Sequence, residues 1–164
     1  LLLLAQAEAG WHLKLSPVAI DNLFLELYES LLLVANGSRL QLQRCDPAQI
    51  LGDPDRLRQV FSNLIDNARK HTQADDKICL SLWPENGRVW VQISDTGSGI
   101  APAALDRIYD PFFRVSNEKQ QLGAGLGLTI VHWIVHEHNG EIDIQSSLGH
   151  GTIITLSFPE FSSN

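Results

Sequence analysis

The chain has 164 residues, 44% of them hydrophobic and 19% charged, enough for one packed domain with at most a short appendage. Twelve Lys and Arg against nineteen Asp and Glu give a formal charge of -7, and the absence of a basic stripe argues against a nucleic-acid surface. Two cysteines, Cys45 and Cys79, are too few for a disulfide framework and imply a reducing compartment, while the apolar start at residues 1–5 is too short to span a bilayer and lacks a signal peptide's basic flank. The sequence contains no methionine, so Leu1 is not a translation start and the chain reads as a piece of a longer protein.

In chain order, residues 1–10 read as the last turns of a helix closed by Gly10. Residues 11–15 alternate with period two and predict a short strand. Ser16 and Pro17 then read as an N-cap and a first-turn proline of a helix running to Val34, closed by Asn36-Gly37. Residues 39–43 alternate again, with Leu40 and Leu42 on one face, and Ile50-Leu51 could add a short strand. Asp53-Pro54 starts another helix, on which Leu57, Val60, Phe61, Leu64, Ile65 and Ala68 follow the 3.6-residue period. Residues 77–83 and 88–94 predict a hairpin joined by Pro84-Glu85-Asn86-Gly87. A short helix at 101–107, a polar aperiodic run at 114–121, a helix at 126–138 ended by Asn139-Gly140, and strands at 141–146 and 152–158 complete the pass. Five or six strands and three long helices predict one α+β layer pair.

Three features carry chemistry. On the helix from Pro54, Asn63, Asn67 and Lys70 fall at i, i+4 and i+7, on one line beside the apolar stripe. An asparagine oxygen suits hard Mg²⁺ and a lysine suits phosphate, although the plainer reading of such a stripe is a solvated face. Asp95-Thr96-Gly97-Ser98-Gly99-Ile100 follows an apolar strand; its glycines allow close backbone approach, and its aspartate could accept from an exocyclic amine, as adenine offers and guanine does not at that position. A tight turn with an Asx cap is the competing reading. The string Asp-Thr-Gly-Ser also belongs to aspartic proteases, whose two aspartates share a proton, and with one copy here only a homodimer could supply the second. Gly123-Ala124-Gly125-Leu126-Gly127-Leu128 leads into a helix and offers backbone N–H groups to an anion, without fitting a Rossmann fingerprint or a P-loop. His132 and His136 lie at i, i+4, yet the zincin order His-Glu-x-x-His is missing, and a solvated helix face with His138 near it is the reading they support.

Taken in order, these boxes resemble the ATP-binding catalytic domain of sensor histidine kinases, within the wider superfamily of gyrase- and MutL-type ATPases. The asparagine box is Asn63 to Thr72, the first glycine box Asp95 to Ile100, the phenylalanine box Tyr109-Asp110-Pro111-Phe112-Phe113-Arg114, and the second glycine box Gly123 to Leu128. Gly149-His150-Gly151-Thr152 closes the set. The resemblance implies a Bergerat-type two-layer α/β sandwich, with a mixed sheet and helices packed on one face. It implies a catalytic domain over residues 11–160, a tail of the preceding dimerisation helix at 1–10 and a C-terminal tail at 161–164.

The resemblance also assigns roles. Asn67 is expected to ligate Mg²⁺ with Asn63 nearby, Lys70 to contact phosphate, and His71 to flank the nucleotide. Asp95 is expected to bind the adenine amine in a pocket shaped by Gly97 and Gly99, and Ile100 and Thr152 are also expected among the nucleotide-binding residues. Gly123, Gly125, Leu126, Gly127 and Leu128 are expected to wrap the phosphates under a lid that begins at Arg114, so that Lys70 and Arg114 are the charges set to serve phosphoryl transfer. Hydrolysing relatives place a glutamate four residues before the metal-binding asparagine. Here Asn63 stands there and cannot act as a base, which favours a kinase over an ATPase. No histidine in the chain has the acceptor context His-Glu-Leu-Arg-Thr-Pro. The expected partners are therefore ATP, the dimerisation domain of the same homodimeric parent, and a response regulator, in the cytoplasm and with no membrane contact by this segment. A GHKL-type ATPase, a protein-serine kinase and a non-catalytic ATP-binding module are the alternatives.

Overall fold

In the computed structural model, residues 12–34, 39–110, 113 and 127–162 are described. In chain order they form β1 (Ser16–Ala19), α1 (Ile20–Val34), β2 (Leu40–Cys45), β3 (Gln49–Gly52), α2 (Pro54–Lys70), β4 (Ile78–Glu85), β5 (Arg88–Asp95), α3 (Pro102–Leu105), α4 (Gly127–Glu137), β6 (Glu141–Ser147) and β7 (Gly151–Pro159). The expected helix tail at 1–10, Asn36-Gly37, the run 114–121 and the site residues Arg114, Gly123, Gly125 and Leu126 lie outside the described residues.

One mixed sheet has the order β2-β4-β5-β7-β6; β2 runs parallel to β4, and the other neighbours are antiparallel. The period-two pattern sorts its faces. Val89, Val91 and Ile93 of β5 are buried beneath the helices together with Ile154, Leu156 and Phe158 of β7, while their alternates point to the opposite side. α1, α2 and α4 cover the buried face, and residues from Val18 to Phe158 share a single core cluster. Phe24 of α1 meets Phe61 of α2 edge to face, with centroids 5.1 Å apart. α2 keeps its predicted stripe: all six apolar positions are buried, and Asp53 caps the helix by accepting from the N–H groups of Asp55 and Arg56.

Three local expectations are corrected. Residues 12–15 are irregular, and Ser16-Pro17 opens a strand instead of a helix. β1 pairs only with β3, in a separate two-stranded sheet, so β1 is an edge strand and a proline without an N–H is tolerated there. Seven strands are therefore present among the described residues. In the central hairpin, β4 continues through Pro84 to Glu85, leaving Asn86-Gly87 as a two-residue turn with Asn86 at φ 53°. The last β2 partner of β4 is Leu82, so Pro84 sits where β4 has become an edge and its missing N–H costs no ladder bond.

Candidate functional site

The first glycine loop is built by backbone contacts between the end of β5, the end of α2 and the β6–β7 turn. His71 is the C-cap of α2, and its carbonyl accepts from Ser98 N at 3.1 Å. A Cβ on Gly97 would lie 2.0 Å from that same carbonyl oxygen, so no larger residue fits. Gly99, at φ +67°, lies against the carbonyl of Ser147, where a Cβ would come within 1.9 Å. The loop is closed from the other side by Gly149 N, which donates to the Ser98 carbonyl at 2.8 Å. The two glycines of the box are thus required by the protein's own backbone. The close approach expected at these glycines is made by the protein's own backbone, and Gly99 also uses its freedom at positive φ.

Asp95 ends β5 on the same face as Val89, Val91 and Ile93, which aims its carboxylate toward the helices at the sheet's end. Its Oδ1 accepts from Gly97 N at 2.9 Å. Burial raises its pKa above the usual 3.8, against the N–H groups of Gly97 and Thr152 and the nearby His71, with Asp76 adding to the rise. A half-buried carboxylate with unused lone pairs seeks a hydrogen-bond donor. Thr152 is buried opposite Asp95, and Ile100 is half-buried with its N–H committed to Ser146 Oγ at 2.8 Å.

Asn63 and Asn67 are half-buried beside the α2 stripe, and Lys70 and His71 are exposed at its end. Among the described residues, the side chains of Asn63, Asn67 and Lys70 have no hydrogen-bond or ion-pair partner. α4, which begins at Gly127, the last glycine of the second glycine box, packs on α2. The Leu128 side chain packs on the core; what it can offer a ligand is its backbone N–H in the helix's first turn. Thr129 Oγ1 donates to the Tyr109 carbonyl at 2.9 Å, tying the phenylalanine box to α4.

Sequence reasoning missed several residues. Arg39 Nη1 donates to the carbonyls of Thr72 and Gln73 at 3.1 and 2.9 Å, clamping the chain just past α2. Ser146 joins the glycine loop to β7. His138, grouped by sequence with a solvated face, is buried, whereas His132 and His136 are exposed. It lies just beyond α4, where Asn139 at φ 53° turns the chain back over the core.

This fold and site define an ATPase domain, and the chain belongs to the family described as Histidine kinase-, DNA gyrase B-, and HSP90-like ATPase, whose model matches residues 52–162. β1, α1, β2 and most of β3 precede that match; they share its core, and β2 joins its sheet. Within the family, the chain is of the sensor-histidine-kinase type. Sensor protein SrrB of Staphylococcus aureus (strain MRSA252) is 40% identical over 126 residues, 76% of this chain and 22% of that protein. The chain spans about a fifth of the length of the curated relatives it matches. Among solved structures, the mycobacterial sensor histidine kinase MprB superposes with a TM-score of 0.79 at 25% identity, over 90% of this chain and 100% of that one. Full-length ShkA in complex with AMPPNP gives a TM-score of 0.77 at 31% identity, over 93% of this chain and 32% of that one. Among the described residues, no helix is long and apolar enough to cross a membrane.

Proposed function

We propose that the chain is the catalytic domain of a sensor histidine kinase, spanning residues 11–160, which holds Mg-ATP and passes its γ-phosphoryl to a histidine on the parent's dimerisation domain. The parent is a homodimer, its catalytic part is cytoplasmic, and a response regulator receives the phosphoryl group. The observation that carries the reading is Asp95: a desolvated acceptor at the sheet's end, walled by a glycine loop that the backbone fixes in place. The AMPPNP bound to ShkA supports the same ligand class.

Among the described residues, no three His, Cys, Asp or Glu side chains come together to hold a metal. Asn67, with Asn63 near it, offers only neutral amide oxygens, which suits a hard ion whose other ligands are phosphate oxygens and water. The metal would supply neutralisation of the phosphate charge. Asn67 would hold it, Lys70 would meet the phosphates as a point charge, and Arg114 would add charge from the lid. The N–H groups of Gly123, Gly125, Leu126, Gly127 and Leu128 would wrap the phosphates. Asp95, with Gly97, Gly99, Ile100 and Thr152 around it, would select the base while His71 flanks it. With Asn63 where a general base would stand, water is left unactivated and the phosphoryl waits for an external nucleophile.

The deciding experiment mixes the chain with Mg-ATP and a separately prepared dimerisation domain. Acid-labile phosphohistidine on that domain is the expected result. Binding without transfer would instead support a regulatory module, and steady phosphate release without transfer a hydrolase. Asp95→Asn is expected to narrow the preference for ATP over GTP, and a variant as selective as the wild type would remove Asp95 from the base-reading role.

A further inference from the structure

Three residues form a row across the end of the sheet. In the ladder Asp95 of β5 pairs with Thr152 of β7, and Thr152 pairs with Ser146 of β6. The next two rows inward on this face are apolar throughout, Ile93–Ile154–Ile144 and Val91–Leu156–Ile142. The alternation of β6 therefore predicts an apolar residue at 146, and a serine occupies the position.

The hydroxyl geometry at Ser146 has one solution. Ser146 Oγ lies 2.8 Å from the Gly151 carbonyl oxygen, which can only accept, so the single serine proton goes there. Ile100 N donates to the same Oγ at 2.8 Å. Thr152 Oγ1 lies 2.9 Å away, and with the serine proton already committed, the threonine must be the donor in that pair. Ser146 is then saturated, with one bond donated and two accepted. The Thr152 hydroxyl has spent its only proton and keeps lone pairs alone for any further partner.

We infer that Ser146 is a positioning residue for base selection: by taking the Thr152 proton it makes that hydroxyl an obligate acceptor beside the Asp95 carboxylate. The inference rests on the nucleotide-binding reading above. Two acceptors on one inner face suit the exocyclic amine of adenine, whose two N–H groups both need partners. Guanine presents a carbonyl oxygen at the equivalent position and would face acceptors with an acceptor. Were Ser146 absent, Thr152 could rotate its proton toward the ligand and the discrimination would fall.

The test compares dissociation constants of ATP and GTP for the 164-residue chain. Ser146→Ala is expected to narrow the ATP-over-GTP ratio by about 3- to 10-fold, the worth of one hydrogen bond. Ser146→Thr, which keeps the hydroxyl, is expected to restore it. In a Thr152→Val background Ser146→Ala should cause no further narrowing, which separates action through Thr152 from general loosening. If the alanine variant is too unstable, Ser146→Cys carries the same expected narrowing, because a thiol is a poor donor and acceptor. An unchanged ratio in a folded Ser146 variant, or equal narrowing with and without the Thr152 hydroxyl, overturns the inference. A wild-type chain that binds neither ATP nor GTP overturns the nucleotide reading itself and this inference with it, and one that binds both equally overturns this inference alone.

Discussion

The two ends of helix α2 are both fixed, but in different ways. At the N-terminal end the polar groups of the cap residue are used within the fold. Asp53 accepts from the N–H groups of Asp55, Arg56 and Lys14, and its own N–H donates to His138 Nε2 at 2.9 Å. His138 in turn donates from Nδ1 to the Ile134 carbonyl at 2.7 Å, which defines a neutral ring with Nε2 as acceptor. At the C-terminal end the backbone is equally committed, with the carbonyls of His71, Thr72 and Gln73 taken by Ser98 and Arg39. The side chains of Asn63, Asn67 and Lys70, by contrast, are left without partners among the described residues. The end whose backbone is pinned while these side chains make no bond to a described residue is the one proposed above to hold the ligand; the end whose cap is consumed is a structural joint.

The largest expected effect falls on the pinned backbone of the functional end. Gly97→Ala drives a Cβ into the His71 carbonyl, with no flexible side chain to give way. It should cost roughly 2–4 kcal/mol in urea unfolding and abolish Mg-ATP binding. A variant with wild-type midpoint and affinity would break the claim that this loop is fixed by the α2 terminus. Next comes the structural end. His138→Leu strands the Asp53 N–H without an acceptor and should cost about 1–3 kcal/mol, leaving the Mg-ATP affinity of the folded protein unaltered. Impaired affinity at full stability would erase the contrast between the two ends.

The same joint predicts a pH dependence. Burial pushes the His138 pKa below its ordinary 6.5, against the pull of the Ile134 carbonyl and of Asp53 and Glu137. The unfolded chain then takes up a proton before the folded one does. Stability is complete above pH 6.5 and falls as pH drops from there toward the lowered value. Burial opposes the Asp53 charge, but the N–H groups of Lys14, Arg56 and Asp55 and the Arg56 charge outweigh it, so a second loss follows below pH 3.8. His138→Leu should flatten the first decline and leave the second; urea midpoints across the acid range measure both.

Much of this was legible in the sequence, because the relevant signals are local. The α2 stripe, its Asp53-Pro54 start, the Asn-Gly hairpin and the glycine boxes each depend on residues a few positions apart. What escaped depends on distant pairing. Ser16-Pro17 reads as a helix start until β3 arrives to pair with it. His138 reads as one more exposed histidine until Asp53, far away in sequence, supplies the N–H that holds it. Ser146 was within reach: with Leu148-Gly149-His150 as the turn, counting back along both strands sets it against Thr152, at an inward position where Ile142 and Ile144 predict another aliphatic residue.

The smallest effect on stability is expected at Asn67, and it tests the contrast most directly. Its amide is half-buried, lies outside the apolar stripe and bonds to no other described side chain, so Asn67→Ala removes no side-chain hydrogen bond among the described residues. Alanine is the better helix former, and the unfolding free energy should stay within about 0.5 kcal/mol of wild type. Mg-ATP binding should nonetheless be lost, because in the proposed role Asn67 would be the oxygen ligand that the protein gives the metal. Urea unfolding and calorimetry on the same preparation separate the two quantities. A large loss of stability would mean that the amide is structural after all, as at the Asp53 end. Unchanged affinity would mean that the unspent side chains of this end do not hold the metal. Only intact stability with lost binding is consistent with a side chain whose bonding capacity the fold leaves free for a ligand.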